Sequence, residues 1–319
     1  MSARRDDWKE PKAMERKIPS REQVESYLWD ERNWGRWKDR PGAGAVNLVT
    51  DQKRIEAASL VRSGKAISLA RPLAVEPSHD NVKPVDFYMK RLPWIDDGGA
   101  ALDYISIFQH GLSVTHLDAL CHMWDKNGIW EDKDPDEVLT FDGATFGGVE
   151  EWSEGIMTRG VLLDVPRHRG QPYVDLDSPV HGWELEDIAA AQGIELTPGD
   201  AAVVYCGREA YEEANGNYGG DPVGSRYPGL HASCLPFLRS NDLAMLIWDM
   251  EDASPNEYGI AWTVHGAIHA YGMALIDCAA LATLAQECAR VNRYEFMLTV
   301  NPLILVGGTG SPVNPIAVL

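Results

Sequence analysis

The chain has 319 residues, with 29 Lys and Arg against 48 Asp and Glu, a formal net charge of −19, and 45% apolar residues. That balance argues against nucleic acid or an anionic membrane surface as partner, since both need clustered cations. A chain of this length buries a core without disulfide staples, and about 150 residues per domain allows one large domain or two small ones.

In chain order, residues 1–19 are polar and read as an arm, flexible or packed on a neighbour. Ser20 with Gln23 forms a capping box that opens a helix. Residues 33–48 read as a loop with aromatic anchors, and Thr50 or Asp51 starts a second helix that ends near Gly64. Residues 65–75 read as a strand and 76–103, marked by Pro and Gly, as a long loop. Three short apolar runs, 160–165, 201–206 and 243–248, read as buried strands, with helices expected at 184–192 (closing on Gly193), 231–240, 265–271 and 277–291. One or two strands follow over 294–306. Strands alternating with helices indicate an α/β fold.

The charged N-terminus has no apolar signal-peptide region, and no run of about 18 apolar residues could span a membrane. Five scattered cysteines, none in a C-x-x-C pair, fit free thiols in a reducing compartment, so the expected location is cytoplasmic.

Chemistry concentrates at residues 109–125, QHGLSVTHLDALCHMWD. Only nine histidines occur in the chain, yet His110, His116 and His122 fall here with Asp118. On a strand, His116 and Asp118 share a face; on a helix, so do Asp118 and His122. A strand turning into a helix near residue 118 would aim all three at one point. Imidazole and carboxylate suit Zn²⁺, Mn²⁺ or Fe²⁺. The spacing by itself leaves the plainer reading open, in which the histidines are satisfied core residues and the aspartate is a turn or cap residue. Cys121 lies among them without a His-Asn partner pattern and reads as packing.

The segment resembles the signature H-x-G-T-H-x-D-x-P-x-H of the cyclase family of metal-dependent hydrolases, which includes bacterial kynurenine formamidase and isatin hydrolase. Thr115, His116, Asp118 and His122 match in register, whereas Leu112, Val114 and Leu120 stand where the pattern has His, Gly and Pro. NWGRWKDRPGAGAVNLVT (33–50), TRGVLLDV (158–165), TPGDAAVVYCG (197–207) and GGTGSPVNPIAVL (307–319) are also similar to family segments, so the resemblance spans roughly residues 33–319. It implies a swivelling β/β/α domain, that is, a mixed β-sheet flanked by helices, as a single domain over 33–319 preceded by an arm and helix over 1–32. It implies metal ligands at His116 and Asp118, with His110 in place of the missing first histidine. Further ligands are implied at His265 and Asp277, which keep the family's twelve-residue spacing although Asp replaces Glu; His269 is a second candidate, and Asp277 alone could equally cap a helix.

The implied chemistry is hydrolysis of an amide (C–N) bond in a small cyclic, aromatic or N-formyl substrate by water activated on Zn²⁺ or Mn²⁺. His122 matches the histidine that moves the proton, with a further metal ligand as its alternative role. Trp34, Trp37, Trp94 and Trp124 could stack on an aromatic substrate, or simply pack. Asp249, after an apolar run, holds a weaker place as a site residue. Competing readings are a lactone or ester hydrolase or polyketide-type cyclase on the same metal site, and a non-catalytic binding protein that retains the fold. The family also implies a homo-oligomer, dimer or tetramer.

Overall fold

The structure, a computed structural model, describes residues 16–95, 98–219 and 226–319, without the side chains of 93–95. The polar arm expected over 1–19 therefore lies mostly outside the described residues. Helix α1 (Arg21–Trp29) opens on the capping box read from the sequence, with Ser20 and Gln23 bonded reciprocally. Thr50 caps α2 (Asp51–Ser59), which stops five residues before Gly64. The strand expected over 65–75 shrinks to β1 (Ala66–Ser68).

The long loop expected over 76–103 is largely a β-ribbon, β2 (Asp86–Ile95) paired antiparallel with β3 (Gly98–Ser106). Every residue of β3 is exposed, so the ribbon shows no inside-outside alternation, and Pro93 and Gly98-Gly99 supplied loop signals instead. After β4 (His116–Asp118) come α3 (Pro135–Val138) and the small pair β5 (Leu139–Thr140) and β6 (Gly143–Ala144).

The core is built by β7 (Ile156–Asp164), α4 (Val165–Arg169), α5 (Gly182–Gln192), β8 (Ala201–Tyr205), α6 (Arg208–Asn215), α7 (Cys234–Ser240), β9 (Met245–Trp248), α8 (Ala267–Tyr271) and β10 (Ala274–Asp277). The chain closes with α9 (Ala282–Val291), β11 (Glu295–Val300), β12 (Gly310–Pro312) and β13 (Ile316–Val318). Nine strands form one sheet in the order β1-β13-β11-β7-β8-β9-β10-β4-β12. Strands β7, β8, β9 and β10 run parallel. β9 and β10 are buried throughout, and β7 from Gly160 onward. The flanking strands are antiparallel, so the α/β class with a mixed sheet and flanking helices is borne out.

Two local expectations fail in ways that shape the site. No helix follows residue 118; the chain makes a turn in which the His122 amide donates to the Ala119 carbonyl at 3.0 Å. The helix expected from residue 277 begins only at Ala282, after Leu281, because 274–277 is strand. Asp277 therefore does not cap it. No helix among the described residues is long and apolar enough to cross a membrane.

Candidate metal centre

Three-residue β4 lies between β10 and β12, and its register fixes the site. His116 sits directly opposite Asp277 on β10, and Asp118 opposite Leu275. His116 and Asp118 share a face, as their spacing predicts. Side chains 161 positions apart in sequence thus become cross-strand neighbours, with His116 Nε2 at 3.8 Å from Asp277 Oδ2.

Around Asp118 stand three imidazoles. His110 Nδ1 is 2.9 Å from its Oδ1, His116 Nε2 3.4 Å and His122 Nε2 3.7 Å. Asp118 is fully buried, yet neither carboxylate oxygen makes a hydrogen bond. The nearest nitrogens lie within ion-pair reach without hydrogen-bond geometry. A buried carboxylate left so is costly unless a cation balances it.

His110, His116 and His265 each have one nitrogen held from outside and the other toward a cluster carboxylate. His116 Nδ1 meets the Val114 carbonyl at 2.8 Å, His110 Nε2 meets Thr309 Oγ1 at 3.0 Å, and His265 Nδ1 meets the Asp252 carboxylate. Metal-binding histidines are oriented in this way. Two donor trios with ligand atoms within 4.8 Å of one another result, His110–His116–Asp118 and Asp118–His265–Asp277, and both share Asp118. Nitrogen and carboxylate donors in this number fit a divalent cation.

The second trio is an ion network. His265 comes from the short 3₁₀ turn Val264–Gly266 before α8, and its Nε2 lies 3.2 Å from Asp277 Oδ2. Burial opposes its charge, but Asp277 and Asp252 outweigh burial and raise its pKa well above the ordinary histidine value. Asp277 is held well below the usual carboxylate range, because His265, His116 and the Trp248 indole together overcome its burial. Trp248 Nε1 donates to Asp277 Oδ1, and the Trp248 ring lies 4.9 Å from that of His265. Asp252 also accepts from the Thr263 hydroxyl and the Val264 amide, which fixes it as the partner of His265. Glu251, buried beside them, is pushed up to about 8 by burial and then by the Asp277 charge.

His122 stacks face to face on His110, with ring centroids 3.7 Å apart. Burial depresses its pKa to about 4 against the pull of Asp118, so it is neutral at pH 7. His269 turns away from the cluster; it is buried on α8 with Nε2 against Gly266 and no hydrogen bond. Cys121 is buried, its thiol pushed up to about 12 by burial, in keeping with packing. Asp249 accepts the amides of Cys206, Gly207 and Arg208 at 2.7–2.9 Å and so serves the start of α6.

The tryptophans divide. Trp34 donates to the His269 carbonyl at 2.6 Å, and Trp37 packs against Trp130 with ring centroids 6.0 Å apart. Trp124, two residues past His122, is 42% exposed, while the Trp94 side chain lies outside the described residues. Trp262 is 37% exposed, and its ring lies 6.0 Å from that of His265. Sequence reasoning missed Trp262, Trp248, Glu251 and Asp252. The available signal for Glu251 and Asp252 was the acidic run DMED (249–252) directly after a buried strand, at the strand end where α/β sites form.

The Cyclase family model matches residues 41–253, about two thirds of the chain, and the chain belongs to that family. Among solved structures it is similar to a crystal structure described as a novel cyclase, with 29% identity and a TM-score of 0.78 over 90% of this chain and 99% of that one. It also shares the fold of isatin hydrolase A from Labrenzia aggregata, at 18% identity and a TM-score of 0.55 over 82% and 94% of the two chains. An isatin hydrolase bound to the product analogue thioisatinate matches at 15% identity and a TM-score of 0.55, over 85% and 99%. Among curated proteins, none matches in sequence. The family match ends before His265 and Asp277; the strand register places Asp277 at the site, and the 3₁₀ turn Val264–Gly266 brings His265 to it.

Proposed function

We propose that this protein is a metal-dependent hydrolase that cleaves an amide (C–N) bond in a small cyclic, aromatic or N-formyl substrate. The observation that carries the reading is the fully buried, unbonded Asp118 carboxylate, faced by inward-turned histidine nitrogens on both sides. His110, His116, Asp118, His265 and Asp277 would hold the divalent ion, Zn²⁺ or Mn²⁺. When bound, such an ion supplies a Lewis acid for the scissile carbonyl and lowers the pKa of water from 15.7 to about 7.

The remaining work falls to the chain's own groups. His122, neutral at pH 7 and 3.7 Å from Asp118, takes the proton of the attacking water and returns it to the departing nitrogen. Its stacking on His110 fixes the plane of its ring. Trp262, and Trp124 beyond His122, offer indole faces to an aromatic ring. The fold shared with isatin hydrolases supports a cyclic amide as the first compound to try.

The test is metal analysis of the purified protein followed by a substrate panel. Stripping metal with a chelator should abolish turnover of isatin, N-formylkynurenine or a cyclic imide, and Zn²⁺ or Mn²⁺ should restore it. A panel in which only lactones turn over moves the reading to C–O hydrolysis on the same site. A protein that holds no divalent metal and hydrolyses nothing after metal is added overturns it in favour of a binding role.

A further inference from the structure

His110 comes from the irregular segment between β3 and β4, not from a strand, and it stands two residues upstream of the position where the family pattern has its first histidine. An imidazole on a loop needs something to hold it. The hold comes from the residue after Asp277. Cys278 is fully buried, and its backbone lies at φ 56°, in the left-handed region that a residue with a β-carbon rarely adopts. Glycine would occupy that conformation without strain, so the cysteine side chain has to have a use there.

Its contacts supply one. The thiol donates to the Gly111 carbonyl at 3.2 Å, one residue from His110; the Glu251 carboxyl, at 3.7 Å, is the more distant acceptor. The Cys278 carbonyl accepts the Thr115 hydroxyl at 2.7 Å, one residue before His116. Buried Arg208 adds a third tie by donating to the Leu112 carbonyl at 2.5 Å. A single residue covalently joined to Asp277 therefore grips the chain beside both histidines of the other donor trio.

We propose that Cys278 is a positioning residue that sets the His110 imidazole against Asp118 and couples the two donor trios. The extra loop length that delivers His110 is drawn in by the thiol–Gly111 bond, and the left-handed backbone of Cys278 is what aims the thiol away from its own strand and at that loop. The proposal rests on the metal-site reading above.

The experiment compares full-length wild type with Cys278→Gly, Cys278→Ala and Cys278→Ser, each stripped of metal, by thermal melting and by calorimetric titration with Zn²⁺ and with Mn²⁺. Cys278→Gly relieves the backbone and is expected to melt no lower than wild type, yet to bind metal roughly tenfold to a hundredfold more weakly, the usual scale for a group that orients a ligand. Cys278→Ala, which keeps the β-carbon and loses only the donor, should weaken binding similarly and gives the same reading if the glycine variant fails to fold. Cys278→Ser, which restores a donor, should recover part of the affinity. In a His110→Ala background, Cys278→Gly should cost nothing further. Wild-type affinity in the glycine and alanine variants, or full additivity with His110→Ala, overturns the inference. Wild type that binds no metal overturns the metal-site reading instead.

Discussion

On the His265 side of the cluster, both ring nitrogens of His265 and both oxygens of Asp277 have protein partners, supplied by Asp252, Trp248 and each other. On the His110 side, Asp118 is buried and its carboxylate has no hydrogen bond, and the histidines around it come from a loop, a three-residue strand and a turn. One side is tied by the protein's own groups; the other presents a buried carboxylate without a hydrogen bond. Preorganisation and affinity are thus divided: the first side holds its shape without metal, and the second gains most when metal arrives.

Asp118→Asn should break this contrast most completely. It removes the shared ligand, so turnover should fall on the order of 10³-fold or more, the scale of several kcal/mol of Lewis-acid stabilisation. The metal-free variant should nevertheless melt higher than metal-free wild type, because a buried carboxylate without a hydrogen bond is gone. A lower melting temperature would mean that the carboxylate is already balanced. His122→Ala should lower kcat by about 10²–10⁴-fold while leaving metal content unchanged, the mark of a proton carrier. Lost metal with lost activity would make His122 a ligand. Trp248→Phe, which deletes only the indole donor to Asp277, should weaken metal binding by about 10–100-fold and leave the His110 side untouched.

Smallest is a pH effect with opposite signs on the two sides. His122 titrates near 4 in the fold and near 6.5 unfolded, so the unfolded chain takes up the proton first as pH falls. Metal-free stability should drop between pH 6.5 and 4, and His122→Gln should flatten that limb in urea unfolding. His265 is raised instead, so its contribution is whole below pH 6.5 and fades as pH rises through its folded value. His265→Gln should remove the alkaline decline.

The half of the site written in one short stretch was legible. Period-two spacing put His116 and Asp118 on one face, and the strand confirms it. The other half was ambiguous for a physical reason: Asp is both a good helix cap and a good ligand, and a helix does follow Asp277, four residues too late to be capped by it. Trp248 and Asp252 could not be found from spacing at all: parallel pairing of β9 with β10 brings Trp248 to Asp277, and Asp252 meets the site only through His265. Strands β7, β8 and β9 were readable from their apolar runs, since near-complete burial leaves a continuous signal, whereas four-residue β10, ending on Asp277, went unread. The ribbon was not readable either, since exposure on both faces leaves no such signal.

That ribbon makes its ladder only with itself, outside the nine-stranded sheet. Two strands alone are marginal in water, so its amides should exchange with deuterium long before those of β8 or β9. A protease should find it early. A single cut there would spare every hydrogen bond of the large sheet, so the nicked chain should stay folded while the stretch running from β3 to His110 loses its upstream anchor.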